Sequence, residues 1–330
     1  LFGPVRVAMK KKEKKKKSVL ITGATGIIGR QLVHQLYHDN RVSHIFGVAI
    51  DDEPYYFRNY DQNRFLYRPV NILKRRQLNN LFLSEAFKRT EIDTVVHMAF
   101  MDRPEEPDIS THTLNVEGTK NLLTRCIEHG SIDQFIFQSS YSVYKVRPGN
   151  PILLDEEADL NFDPHASQWV QDRVDADMIC RSMMDNGTMR ILVLRTGPII
   201  GRNIRTGLNR LLESHVIYRL VGFDPMVNPI HVHDVLRALK HSIFRDVQGV
   251  FNIAGLDVAP LSEFIRMTGT PCVPLPWFLL KQLNWLQRKL GLTQYNCMDF
   301  PDSLRYSVML DTRRAREELD FKPINHIKFA

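Results

Sequence analysis

Gly23, Gly26 and Gly29 recur at every third position. Before them stands an apolar run, Val19-Leu20-Ile21. After them comes Gln31-Leu32-Val33-His34-Gln35-Leu36-Tyr37, apolar at helical spacing. This predicts strand, tight turn and helix, because glycine lets the turn close and lets the backbone approach a ligand. The helix start offers N–H groups and a positive dipole end, which suit a pyrophosphate. The chemistry to expect is dinucleotide binding, with Gly-x-x-Gly-x-x-Gly replacing the usual Gly-x-Gly-x-x-Gly. Further along, Ser139 and Ser140 end an apolar run that starts at Gln134, and Tyr141 and Tyr144 follow. His165, Trp169 and Arg173 stand four apart and would share one face of a helix predicted over 163–184. Imidazole is the side chain best suited to proton transfer near neutral pH, which makes His165 a candidate base. His231-x-His233 with Asp234 has metal-like spacing, but such spacing recurs by chance, and no metal is expected.

The elements that would position these residues alternate. Strands are predicted over 43–50, 64–70, 93–99, 134–140, 190–195 and 249–254. Helices are predicted over 73–88, 113–128 and 163–184. Repeated strand–helix units imply a doubly wound parallel sheet of about seven strands, an α/β fold of the Rossmann type. Ligands of such sheets sit at the carboxyl ends of the strands, where the serines and the glycine turn lie.

Composition narrows the function further. Residues 1–17 hold Arg6 and seven lysines against Glu13, which equals the whole formal excess of +7. The body is therefore neutral and carries no nucleic-acid footprint. The basic tail reads as a solvated, disordered arm, with an anionic membrane surface as the sharper alternative. Cys126, Cys180, Cys272 and Cys297 lie far apart, as reduced thiols of a cytoplasmic protein would. No apolar run approaches the length of about 18 residues needed for a membrane span. The chain opens on Leu1 without a secretory pattern, which reads as an expression remnant or the join to a longer chain.

Several stretches together resemble one family, the extended short-chain dehydrogenases/reductases of the NAD-dependent epimerase/dehydratase type. They are Thr22 to Gly29, Val95-Val96-His97-Met98-Ala99, Asn115 to Leu123, Phe137-Gln138-Ser139-Ser140 with Val143-Tyr144, Leu194 to Pro198, Ile230 to Val235 and Phe251-Asn252-Ile253. The resemblance implies hydride transfer between nicotinamide and a small-molecule carbinol or ketone, as in epimerases of nucleotide sugars. It implies cofactor contacts at Gly23, Thr25, Gly26, Ile27, Ile28, Gly29, Met98, Ala99 and Asn115. Asn71 and Ile72 would lie near the adenine. Asp51, just past the second strand with no Arg or Lys between Gly47 and Phe57, points to NAD rather than NADP. Beyond the basic tail at 1–17, the resemblance also implies a nucleotide domain over 18–200 and 229–254, and a smaller, discontinuous substrate domain over 201–228 and 255–330.

One departure matters chemically. The family's Tyr-x-x-x-Lys pair aligns with Trp169 and Arg173, and Asp177 aligns with a usual glutamate. Indole only donates a hydrogen bond, and a guanidinium stays protonated, so neither can be the base. Trp169 is expected to pack beside the cofactor, and Arg173 to hold the ribose or pair with Asp177. Ser140 would hold the substrate oxygen, and His165, Tyr144 or Tyr141 would carry the proton. The rival reading is a catalytically silent dinucleotide-binding sensor or scaffold. Finally, Pro274 to Leu290 reads as a proline-started helix with two tryptophans. It would form core or a pocket wall suited to an apolar substrate, or else a homodimer or membrane-peripheral surface.

Overall fold

The computed structural model describes residues 16–100, 109–185, 187, 189–293, 295–298 and 302–329. Most of the basic tail, residues 1–15, lies outside the described residues. Lys17 does not belong to the tail: it opens the first strand, with its ammonium 3.6 Å from Asp93 Oδ1.

Seven strands form one parallel sheet: β1 Lys17–Thr22, β2 Val42–Ala49, β3 Phe65–Pro69, β4 Thr94–His97, β5 Gln134–Ser140, β6 Arg190–Thr196 and β7 Gly249–Ile253. Their order is β7-β6-β5-β4-β1-β2-β3, so the chain winds outward both ways from β1. Strands apolar on both sides belong in such a buried sheet. Val19 and Ile21 pack on one face with Leu32, Val33 and Leu36 of α1 (Ile27–Tyr37). Leu20 and Phe46 pack on the other face with Leu122 and Cys126 of the helix over Ile109–His129.

The 73–88 segment is two helices, α2 Arg75–Leu83 and α3 Glu85–Thr90, not one. Ser84 breaks it by accepting the Phe87 N–H at 3.3 Å, so that it caps the second helix. α4 spans Ile109–His129 and α5 spans Gln168–Ser182. The start of α5 overturns the expected helix over 163–184. Asp163 Oδ1 takes the His165 N–H at 2.8 Å, which holds a turn, and helix begins only after Ser167.

Beyond β6 the chain leaves the main sheet. α6 (Gly207–Leu212), α7 (Val232–Ile243), α8 (Leu261–Thr268), α9 (Trp277–Lys289) and α10 (Arg313–Glu317) follow. Ile217–Leu220 pairs with Cys272–Leu275, and Met226–Val227 pairs with Ala259–Pro260. A separate apolar cluster, including Leu211, Leu261, Phe264 and Leu280, holds these pieces together. α7 returns to the main sheet. Its Asp234, fully buried, accepts the Asn325 N–H at 2.9 Å and fastens the C-terminal segment. His231 caps the same helix by accepting the His233 N–H at 3.2 Å. Among the described residues the His231–His233–Asp234 stretch thus serves helix ends, and no membrane-spanning helix is present.

Candidate active site

The glycine turn closes directly on the loop after β4. Gly23 has φ +69°, and a Cβ there would stand 2.9 Å from the Met98 carbonyl carbon. A Cβ on Gly29 would stand 2.1 Å from the Gly23 oxygen. Both positions need glycine because backbone occupies the space of a side chain. Gly26 is the N-cap of α1, gives no side-chain hydrogen bond, and is followed by no acidic residue in the first turn. That helix start therefore stays ready for an outside anion.

A hydrogen-bonded relay fixes this wall. Thr22 Oγ1 accepts the Met98 and Ala99 N–H groups at 3.2 and 3.3 Å, which leaves its proton for His97 Nδ1 at 2.7 Å. Thr119 donates to the Asn115 carbonyl at 2.5 Å, so His97 must donate from Nε2 to Thr119 Oγ1 at 2.9 Å. His97 is thus a neutral Nε2–H tautomer. Burial, with Arg173 adding to it, holds its pKa down at about 3. The folded state refuses a proton that the unfolded chain accepts below its ordinary value of 6.5. Stability should therefore be full above that value and fall with pH towards about 3, by up to about 1.4 kcal/mol per unit. Urea denaturation at neutral and acidic pH should show this fall, and His97→Gln should flatten it.

One cavity of about 410 Å³ joins the glycine turn to the end of β5. Gly23, Gly26, Ile27, Ile28 and Gly29 line one end, then Met98 and Phe100, then Ser140, Tyr141, Trp169 and Arg173. Ser140 Oγ accepts from Ser142 N and Oγ at 3.3 and 3.0 Å, so its own proton can be donated into the cleft. The Arg173 guanidinium lies 3.7 Å over the Phe100 ring and 5.3 Å from that of Trp169. It does not pair with Asp177, which is taken by Arg195. A small apolar chamber of about 40 Å³ adjoins the cleft. It shares Tyr141, Pro198 and Gly207 with the cleft, and Leu208, Leu211, Met226, Val227, Leu261 and Val308 wall it.

Other expected site residues lie elsewhere. His165 is exposed in the turn before α5 and does not line the cleft, because the helix that would have aimed it there starts later. Tyr144 is buried behind the cleft, and burial pushes its pKa up to about 12. Its hydroxyl donates to Asn252 Oδ1 at 2.6 Å and accepts from Arg195 Nη1 at 3.0 Å. Asn115 is fully buried and donates to Asp172 Oδ2 at 3.2 Å, joining α4 to α5. Asn71 Oδ1 accepts the Leu73 N–H at 3.0 Å, and Ile72 packs where a Cβ on Gly118 would stand 2.9 Å from it. Thr25 Oγ1 donates to Asp51 Oδ2 at 2.7 Å, which brings the glycine turn and the end of β2 together. Ala99 adjoins Met98 in the relay. Phe100, Arg205 and Thr206 line the cleft without having been expected. Phe100 could have been found as the next residue past Met98-Ala99, whereas nothing in the sequence marks Arg205 or Thr206.

The sequence profile of the NAD dependent epimerase/dehydratase family matches residues 19–254, which reaches from within the first strand of the main sheet to beyond the last. The chain belongs to that family. This epimerase/dehydratase-family chain is 27% identical over 311 residues to an uncharacterized protein of Mycobacterium tuberculosis, covering 93% of this chain and 80% of the relative. Solved structures share its fold. UDP-glucose 4-epimerase from Thermotoga maritima, solved with UDP-glucose, superposes with TM-score 0.69 at 18% identity, over 94% of each chain. UDP-glucuronic acid 4-epimerase from Bacillus cereus, solved with UDP-glucuronic acid and NAD, gives 0.69 at 19% identity, over 94% of this chain and 95% of that one. MoeE5 in complex with UDP-glucuronic acid and NAD gives 0.68 at 21%, over 94% of each.

Proposed function

We propose that the chain binds NAD along the cleft and acts as an oxidoreductase or epimerase on a carbinol or ketone carrying an apolar group. The observation that carries this reading is the single cavity running from the glycine turn to Ser140 and Tyr141. The family, and the NAD bound in similar solved structures, support the cofactor. The fit rests on this chain's own geometry: two positions where a Cβ cannot stand, and a helix start without a side-chain cap.

When bound, NAD supplies a hydride acceptor or donor. The α1 start would hold its pyrophosphate, and the exposed Asp51 carboxylate beside Thr25 would receive the adenosine ribose and disfavour a 2′-phosphate. Trp169 and Phe100 form an apolar wall that excludes water, while Arg173 stacks across both and supplies positive charge. Ser140 would bind the reacting oxygen by its O–H. Tyr141, which lines both cleft and chamber, would hold or move the proton at that oxygen. The chamber beyond Tyr141 would take the apolar substituent of the substrate. Residues 201–228 and 255–330, which supply most of its walls, would act as the substrate side, with the remainder of 18–254 as the nucleotide side.

Calorimetric titration of the full chain with NAD, and isotope exchange between labelled NADH and a panel of ketones, test the reading. Binding with exchange is expected. Binding without exchange would favour the silent sensor, and absence of binding would overturn the proposal. Gly29→Ala should weaken NAD binding by at least about tenfold, because the added carbon displaces the Gly23 carbonyl that shapes the turn. Unchanged affinity in that variant would place the dinucleotide elsewhere.

A further inference from the structure

The helix α9 buries two side-chain amides while it exposes large apolar side chains. Its buried side carries Asn284 and Gln287 with Leu280. The two amides are consumed by backbone: Asn284 Nδ2 donates to the Tyr295 carbonyl at 3.1 Å and its Oδ1 accepts the Cys297 N–H at 3.0 Å. Gln287 Nε2 donates to the Val216 carbonyl at 2.9 Å. The outer side carries Phe278, Trp285 and Leu290, which are 63%, 60% and 64% exposed. An ordinary surface helix buries its apolar residues and shows its polar ones. Here amides hold the helix in place and large apolar side chains face outward, so the outer face requires a separate explanation.

Charge identifies the occupant. Lys281 and Lys289 stand among the outward apolar residues, with their ammonium groups 6.0 and 5.8 Å from the Trp277 and Trp285 ring centres. Residues 271–298 contain Lys281, Arg288 and Lys289 and no Asp or Glu. A second copy of the chain docking face to face would bring the same cations together across a two-fold axis, with no carboxylate of this segment to meet them. An anionic lipid surface meets both demands. Apolar rings enter the acyl boundary, and lysine stems lie along it with their ammonium groups at the phosphates.

We infer that α9 docks on anionic membrane, lying in the plane of the interface with Phe278, Trp285 and Leu290 inserted and Lys281 and Lys289 at the headgroups. The helix does not cross the bilayer. Trp277 at its start packs in the same cluster as Leu208, Leu211 and Leu261 of the apolar chamber, so docking would set the chamber's side of the molecule against the lipid.

Vesicle flotation of the full chain tests this. Vesicles are pure phosphatidylcholine, or phosphatidylcholine with about one-third phosphatidylserine. The anionic vesicles should bind at least about tenfold more protein. Phe278→Ser with Trp285→Ser should lose about tenfold of that binding, and so should Lys281→Glu with Lys289→Glu. The circular-dichroism melt should be unchanged in both variants, as the substituted side chains face outward. In the wild type, tryptophan emission should shift to the blue and be quenched by brominated lipid, and Trp285→Phe should bind normally but lose the quenching. Equal binding by wild type and both double variants would overturn the assignment. So would absent vesicle binding, or a dimer in sedimentation that Phe278→Ser with Trp285→Ser dissolves.

Discussion

Arg195→Met should cost about 3–5 kcal/mol of folding stability, read as a lower urea midpoint at unchanged slope. The Arg195 side chain has no exposed surface. Its Nη2 and Nε donate to the Asp177 carboxylate at 2.7 and 3.0 Å, and its Nη1 donates to the Tyr144 hydroxyl and the Glu156 carbonyl at 3.0 Å each. Burial opposes the guanidinium charge, but Asp177 and Tyr144 outweigh it and hold the group above its ordinary value. Removing the guanidinium leaves a buried carboxylate with the Ser139 hydroxyl at 2.6 Å as its remaining hydrogen-bond donor among the described residues. An uncompensated buried charge is what makes the single substitution costly. Adding Asp177→Leu to Arg195→Met should therefore recover part of the loss, because the charge disappears with its partner. A single-variant cost under about 1 kcal/mol would show that water reaches the pair.

Tyr141→Phe should lower turnover by about 10² to 10⁴ while leaving NAD affinity unchanged. The reasoning is by position. Trp169 cannot carry a proton, His165 is in the turn outside the cleft, and Tyr144 is fastened to Asn252 and Arg195. Tyr141 lines both the cleft and the apolar chamber. Steady-state rates on whichever ketone responds, with NAD titrations alongside, give the reading. Tyr144→Phe is the control. It should cost about 1–3 kcal/mol of stability, since it strips a partner from Asn252 and Arg195, yet leave the rate per folded molecule intact. Equal rates in Tyr141→Phe and the wild type would move the proton to another group.

Much of this fold was legible in the sequence. Apolar runs such as Val19-Leu20-Ile21 and Ile191 to Leu194 are buried on both faces, so their pattern is a property of the strand itself. The glycine turn was equally plain, because steric exclusion at Gly23 and Gly29 depends on residues within one turn and one neighbouring strand. Helix ends were harder to place. Asp163 and Ser84 each divert one backbone N–H, and a one-turn change in the start of α5 removed His165 from the cleft. Tyr144 and Asn115 were misplaced for a different reason. Both sit in familiar motifs, but their partners Asn252 and Asp172 lie far away in sequence, 108 and 57 residues on, and those partners decide that the side chains are consumed. Arg205 and Thr206 reach the cleft from a segment with no local pattern at all. The outward face of α9 was visible as composition, but its orientation depended on what Asn284 and Gln287 found to bond.

β1 comes first along the chain and sits in the middle of the sheet. Its two neighbours arrive at different times. β2 follows at once, whereas the β4 residues that complete the ladder, Thr94 to His97, come about 75 positions later. The cradle shares that delay, since Met98 closes it. During synthesis the turn at Gly23 would therefore wait, half-walled, until the fourth strand had left the ribosome and threaded beside the first. A dinucleotide would find nothing to hold before that moment. Afterwards it would bind only the assembled form and bias the equilibrium towards it, making cellular cofactor supply one determinant of how long the mature protein survives.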